Sequence, residues 1–168
     1  DGSYTVGGLP SGNYRVQFTD YSATHLDEYF DDVVQYDAAT LVGVTAPDTT
    51  AGINAGLSTG GSIAGTVTEE GSGDPLENIQ VCASGVNTDY SSCADTAADG
   101  TYSIGPLPDD SYRVDLQDFA GTYLREYFDD AANYDSATPV VIAAAADATG
   151  IDAGLSRGGS ISGTVTED

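Results

Sequence analysis

The chain has no lysine, no methionine and no tryptophan, and only one histidine and two cysteines in 168 residues. Its cations are four arginines, Arg15, Arg113, Arg125 and Arg157, set against 27 acidic side chains for a formal charge of -23. A surface of that sign repels polyphosphate and anionic lipid, which excludes nucleic acid and acidic membranes as partners. No apolar run approaches the ~20 residues needed to cross a bilayer; the longest, Pro139 to Ala146, is strand-sized. The cysteines lack CxxC spacing and the single His25 offers them no companion, so no zinc pattern is present. Serine and threonine abound, but the complete repeat described below contains no His or Lys base to activate a hydroxyl. No Asn-x-Ser/Thr glycosylation acceptor occurs.

What the chain does have is a copy of itself. Tyr4 returns 98 residues later as Tyr102, and the match runs without a gap from Asp1/Asp99 to Glu70/Asp168. DGSYTVGGLPSGNYRV becomes DGTYSIGPLPDDSYRV, LDEYFDDVVQYDAAT becomes LREYFDDAANYDSAT, and AGINAGLSTGGSIAGTVTEE becomes TGIDAGLSRGGSISGTVTED. Residues 61–98 have no counterpart before Asp1, and 160–168 restate only 62–70. This register predicts the C-terminal part of one unit in 1–60, a complete unit in 61–159 and the first strand of a further unit in 160–168. The register is that expected of a window on a longer tandem array; strand exchange between chains is the weaker alternative, since 160–168 could supply one missing strand but not those encoded by 78–98, and arrays build length or surface more often than a catalytic pocket.

Alternating and β-branched runs separated by Gly, Pro, Asp, Asn and Ser predict an all-β fold, a seven-stranded sandwich in each unit. Ser62 to Thr68 places Ile63 and Val67 on one face, and Asn78 to Ala83 turns Ile79 and Val81 inward with Cys82 on the opposite face. Asp99-Gly100 is a tight turn, after which Tyr102, Ile104 and Leu107 point one way. In SYRVDLQ the buried set is Tyr112, Val114 and Leu116, with Arg113 facing solvent. YLREYF reads as a further strand, DDAANYDSAT as a loop or a single helical turn, and 138–144 and 149–156 as the last strands. With Leu155, these inward residues are the expected core.

Cys82 and Cys93 flank the turn-rich SGVNTDYSS. A disulfide closing a hairpin fits that placement, and with it an oxidising, extracellular compartment; two buried free thiols are the alternative. The units are joined by Gly60-Gly61 and again by Gly158-Gly159. So short a connection predicts a semi-rigid rod rather than beads on a flexible string.

GSIAGTVTEEGSGDPLENIQVCASG followed by TAADGTYSIGPLPDDSYRV resembles the carboxypeptidase regulatory-like domains and the collagen-adhesin B-type repeats. The shared pattern is a GxV strand, a Pro-Leu before the second strand, a DGxY turn and an LPxxxYxV hairpin. The resemblance implies tandem Greek-key sandwiches of transthyretin (prealbumin) type, non-catalytic and serving as stalks, spacers or accessory modules of secreted and surface proteins. Many adhesin repeats are crosslinked through a Lys-Asn isopeptide bond, which a chain without lysine cannot form.

Two constellations recur in both copies and are candidates for a shared function. The acidic loop offers Glu28, Asp31, Asp32 and Asp37 in one copy and Glu126, Asp129, Asp130 and Asp135 in the other. Ca²⁺ accepts irregular oxygen cages, so these carboxylates are its candidate ligands; the competing reading is that Asp-Asp simply ends a strand and turns the chain. Adjacent carboxylates without a cleft argue against a glycosidase pair. The paired tyrosines Tyr29/Tyr36 and Tyr127/Tyr134 suggest packing between neighbouring units or stacking on sugar. The expected function is therefore a non-enzymatic structural repeat, forming a rod, fibre or stalk with neighbouring repeats and identical chains and requiring no cofactor. A Ca²⁺-dependent adhesion module and a carbohydrate-binding accessory module of a larger secreted enzyme are the alternatives.

Overall fold

In the computed structural model, which describes residues 2–167, the helical content of the described residues is two single 3-10 turns, Tyr36–Ala38 and Tyr134–Ser136. The rest is strand and loop. The backbone separates into two compact units, Asp1–Gly60 and Gly61–Asp168. The first contains β1 (Gly12–Tyr14), β2 (Gln17–Phe18), β3 (Glu28–Tyr29) and β4 (Val42–Val44). The second contains β5 (Gly61–Glu69), β6 (Gln80–Gly85), β7 (Ser91–Asp95), β8 (Thr101–Leu107), β9 (Asp110–Gln117), β10 (Glu126–Tyr127), β11 (Val140–Ile142), β12 (Ala148–Thr149) and β13 (Ala153–Leu155).

The second unit is a sandwich of two sheets. One runs β10-β9-β6-β7, with β11 on the same edge of β9 as β10. In the other, β5 is central: β8 pairs antiparallel along one edge, while β12 and β13 pair parallel along the other, at Ile63 and Val67 respectively. The inner faces follow the period of two. Tyr112, Val114 and Leu116 of β9 are buried, as are Val81 and Ala83 of β6, Tyr102 and Ile104 of β8, and Ile63 and Val67 of β5. They form one cluster with Ile79, Leu107, Ile142 and Leu155, which contains every core residue expected from the sequence. Burying each large aliphatic or aromatic side chain contributes about 1.5–3 kcal/mol.

Glycine in β5 has a packing reason. A Cβ at Gly65 would run into the carbonyl oxygen of Ile151, and one at Gly61 into that of Ala146, so their absence lets the parallel segments close on β5. Gly100 follows the same logic in the Asp99-Gly100 turn. Its φ is +77°, and a Cβ there would lie 2.5 Å from the Val67 carbonyl oxygen. Asp99 fixes that turn by accepting from the Thr101 amide (3.1 Å) and hydroxyl (2.6 Å).

Three expectations are corrected. YLREYF forms only the two-residue β10, because the strand ends at the Asp129-Asp130 turn. The expected final strand 149–156 is split into β12 and β13 at Gly150 (φ +75°), and the unit holds nine strand segments among the described residues where seven were expected. Arg113 does not simply face solvent: it is half-buried, with its guanidinium carbon 4.6 Å from the centroid of the Tyr134 ring. Residues 160–167 form no strand, and their side chains are exposed.

Several contacts of the second unit recur in the first where the sequence repeats, although 3–9, the repeat of β8, forms no strand. The Tyr4 hydroxyl donates to Ile53 O as that of Tyr102 does to Ile151 O, both at 2.6 Å. Tyr14 donates to Pro10 O (2.8 Å) and Tyr112 to Pro108 O (2.7 Å). Backbone bonds from Leu26 to Ser58 and from Phe30 to Val16 recur as Leu124 to Ser156 and Phe128 to Val114.

Candidate functional site

The acidic loop follows β3 and β10. In both copies the two aspartates occupy left-handed backbone, Asp31 and Asp32 at φ +79° and +58°, Asp129 and Asp130 at +68° and +54°. Aspartate tolerates this region better than most side chains because its short carboxylate can bond locally. The pair reverses the chain, so that Tyr29 bridges Val33 and Tyr127 bridges Ala131. One carboxylate of each pair is tied across the loop: Thr40 donates to Asp31 (3.1 Å) and Thr138 to Asp129 (2.7 Å). Asp37 and Asp135 lie in the 3-10 turns and are exposed.

The glutamates behave differently. Glu28 is buried, at 7% exposure, and its Oε1 has no hydrogen-bond partner. Burial, with Asp32 adding repulsion, raises its pKa above the ordinary carboxyl value against the opposing effect of the Gly56 N–H. Glu126 Oε1 is likewise buried and unpartnered. Desolvation, then Asp130 and Glu70, push Glu126 up to about 7.

Glu126, Asp129 and Asp130 line a cleft of about 360 Å³ with Thr68, Phe128, Asp152, Ala153 and Gly154. Asp135 is not part of it. Three of the four acidic residues expected in the second copy are thus brought to one cleft, and Asp152 joins them from the β12–β13 connection. Among the described residues, no group of three or more His, Cys, Asp or Glu side chains is placed to hold a metal ion.

The tyrosine pairs are internal to their units. Tyr29 and Tyr36 meet edge to face at 5.8 Å, and Tyr127 and Tyr134 at 6.4 Å. Arg15 lies over Tyr36 (4.4 Å) as Arg113 lies over Tyr134. Arg125 and Arg157 are also placed over tyrosines, Tyr127 and Tyr123, and bind Asp115 (2.7 Å) and Glu69 (2.6 Å). Every arginine in this acidic chain is therefore stacked on a tyrosine, an arrangement that the sequence reading missed. Its signal was the recurrence of Arg15 and Tyr36 as Arg113 and Tyr134.

Cys82 and Cys93 are joined in a disulfide and stand opposite each other in the β6–β7 ladder. Asp110, also missed, is a buried hub where β9 begins. Its carboxylate accepts from Thr88 Oγ1 (2.7 Å), Asn87 Nδ2 (2.7 Å) and the Ser111 amide (2.7 Å), fixing the turn after β6.

A sequence model described as the carboxypeptidase regulatory-like domain matches residues 62–156, more than half of the chain. The chain belongs to the carboxypeptidase regulatory-like domain family. The matched span begins in β5 and ends just after β13, so it takes in both sheets of the second unit. No curated protein matches the chain. Among solved structures, a chain from a type II cohesin–X-dockerin complex of Acetivibrio cellulolyticus, a C-terminal interface mutant, aligns at 16% identity and a TM-score of 0.39. That alignment covers 58% of this chain and 57% of the other, so this chain spans little more than half of that one's length.

Proposed function

We propose that the chain is a non-enzymatic structural segment of a longer extracellular or cell-surface protein, in which successive regulatory-like units stack into a semi-rigid rod or stalk. The observation that carries this reading is the recurrence of the acidic turn, the tyrosine hydroxyl bonds and the Arg-Tyr stacking in the two copies. The repeated features are turn, core and stacking contacts, which hold a unit together. The disulfide adds support for an oxidising compartment. Gly61, the second residue of the Gly-Gly pair, is already inside β5, which leaves little chain between units to act as a hinge. Small-angle scattering on a protein of several repeats tests the proposal. An elongated particle whose length grows in proportion to repeat number is expected, and a compact globule overturns it.

One observation favours Ca²⁺ as a stabilising ligand of the same module: the Glu126 oxygen without a donor belongs to a cleft also lined by Asp129, Asp130 and Asp152. A site filled to 100 times its Kd adds about 2.7 kcal/mol to stability. Thermal melts with Ca²⁺ and then with chelator are expected to differ accordingly, and coincident melts reject the cation.

A further inference from the structure

After β13 the chain runs between the two sheets of the second unit. On one side the Leu155 carbonyl accepts from the Glu70 amide just past β5 (3.0 Å), and the Ser156 hydroxyl donates to the Glu70 carboxylate. On the other side the same segment meets the connection from β9 to β10, strands of the opposite sheet. The Leu124 amide donates to Ser156 O and the Gly158 amide to Thr122 O, both at 2.9 Å, and Tyr123 faces Arg157 in an antiparallel bridge. Residues 155–158 are therefore bonded to both sheets at once.

Three side chains fasten this seam. Arg157 donates from Nε to Glu69 Oε1 (2.6 Å), and one of its terminal nitrogens donates to Glu69 Oε2 (3.0 Å) and to the Tyr123 hydroxyl (3.2 Å). The Tyr123 hydroxyl in turn donates to Glu69 Oε2 (3.3 Å), beneath a guanidinium carbon 5.3 Å from its ring centroid. A guanidinium fork matched to a carboxylate fixes direction as well as distance. Tyr123 is itself held, because the Asp118 carboxylate accepts from the Ala120, Thr122 and Tyr123 amides at 2.7, 2.8 and 3.0 Å. The first unit lacks two of these parts. Thr59 stands at the position of Arg157, and His25, at that of Tyr123, bonds to Asp20 of its own loop (3.0 Å).

We propose that Arg157, Glu69 and Tyr123 form a lock that fixes the direction in which the chain leaves the second unit, holding it to both sheets as far as Gly158. Gly159 repeats Gly61, the first residue of β5, so the lock reaches the last residue before the repeat begins again. Of the two glycines at this junction, Gly158 then belongs to the unit and not to a pivot. An exposed ion pair adds little to equilibrium stability. Its effect here is on the order of the exit segment. The proposal rests on the rod reading for its use, since a fixed exit matters where another unit follows.

Backbone relaxation and hydrogen exchange on the 168-residue chain test it, whereas scattering on several repeats tests the rod, so the two can fail separately. In the parent, Gly158 is expected to show the order parameter of rigid backbone, about 0.85, and in Arg157→Thr, which installs the residue of the first unit, to fall below about 0.6. The Leu124 and Gly158 amides are expected to exchange about tenfold faster or more in that variant, while the core amide of Val114 is unchanged. Glu69→Gln is expected to loosen the same two amides. A Gly158 that stays rigid in Arg157→Thr overturns the proposal. So do Leu124 and Gly158 amides that exchange as in the parent, or a Val114 amide that speeds up as much as they do.

Discussion

Folding raises the Glu126 carboxyl group well above its ordinary value. Burial and the facing Asp130 and Glu70 raise it to about 7, so between an ordinary carboxyl value and pH 7 the native state binds more protons than the unfolded one. Stability from this group is therefore present at mildly acidic pH and is lost as the pH rises through 7. Glu126→Gln removes the charge and keeps the shape. It is expected to raise stability at pH 8 by about 1–2 kcal/mol, allowing for partial solvent screening, and to flatten the slope between pH 5 and 8 seen in denaturant melts. Asp99 and Asp109 act in the opposite sense. Thr101 holds the first below its usual range, and the Ala144 and Ala145 amides hold the second, so their contribution is lost only as the medium becomes strongly acidic.

Among the elements, β7 is the outer strand of its sheet, with only β6 as its ladder partner there. The disulfide fastens this edge across a sequence separation of 11 residues. Cys82→Ala with Cys93→Ala is expected to cost about 2–3 kcal/mol, from the entropy that a short closed loop removes from the unfolded chain. Urea melts of the oxidised parent and the double variant measure it. The hairpin of β6 and β7 was legible in the sequence, as were the alternating β8 and β9, because strand pattern and turn chemistry are local properties. The break between β12 and β13 was not. It is set by Gly150 and by β5, whose Ala64 carbonyl takes the Ile151 amide from far away in sequence. The acidic loop was visible as a recurrent motif for the same local reason, but the company it keeps was not: Thr68 and Asp152 line one cleft with Glu126, and the pairing of β13 with β5 brings those two together from distant parts of the sequence.

For the whole molecule, 27 acidic side chains against four arginines mean self-repulsion in the compact state. Stacking every arginine on a tyrosine fixes the few cations in place without cancelling that excess. Salt screens exposed charges over about 10 Å at 0.1 M. The melting temperature is therefore expected to rise by about 2–5 °C between low salt and about 0.5 M NaCl, a range set by the entropy of unfolding a domain of this size. Calorimetry at fixed pH checks it. A melting temperature that falls with salt would mean that the arginine ion pairs outweigh the repulsion.

The parallel pairing of β5 with β13 gives the second unit a direction under load. β5 opens the unit at Gly61 and β13 closes it at Leu155, and the two run the same way along Val67–Glu69 and Ala153–Leu155. Tension between the two ends pulls these strands past each other lengthwise. Their hydrogen bonds are then strained together, in shear, instead of being unzipped one at a time. The resistance of a unit built this way to forced extension is set by how slowly it unfolds under load and not by its equilibrium stability.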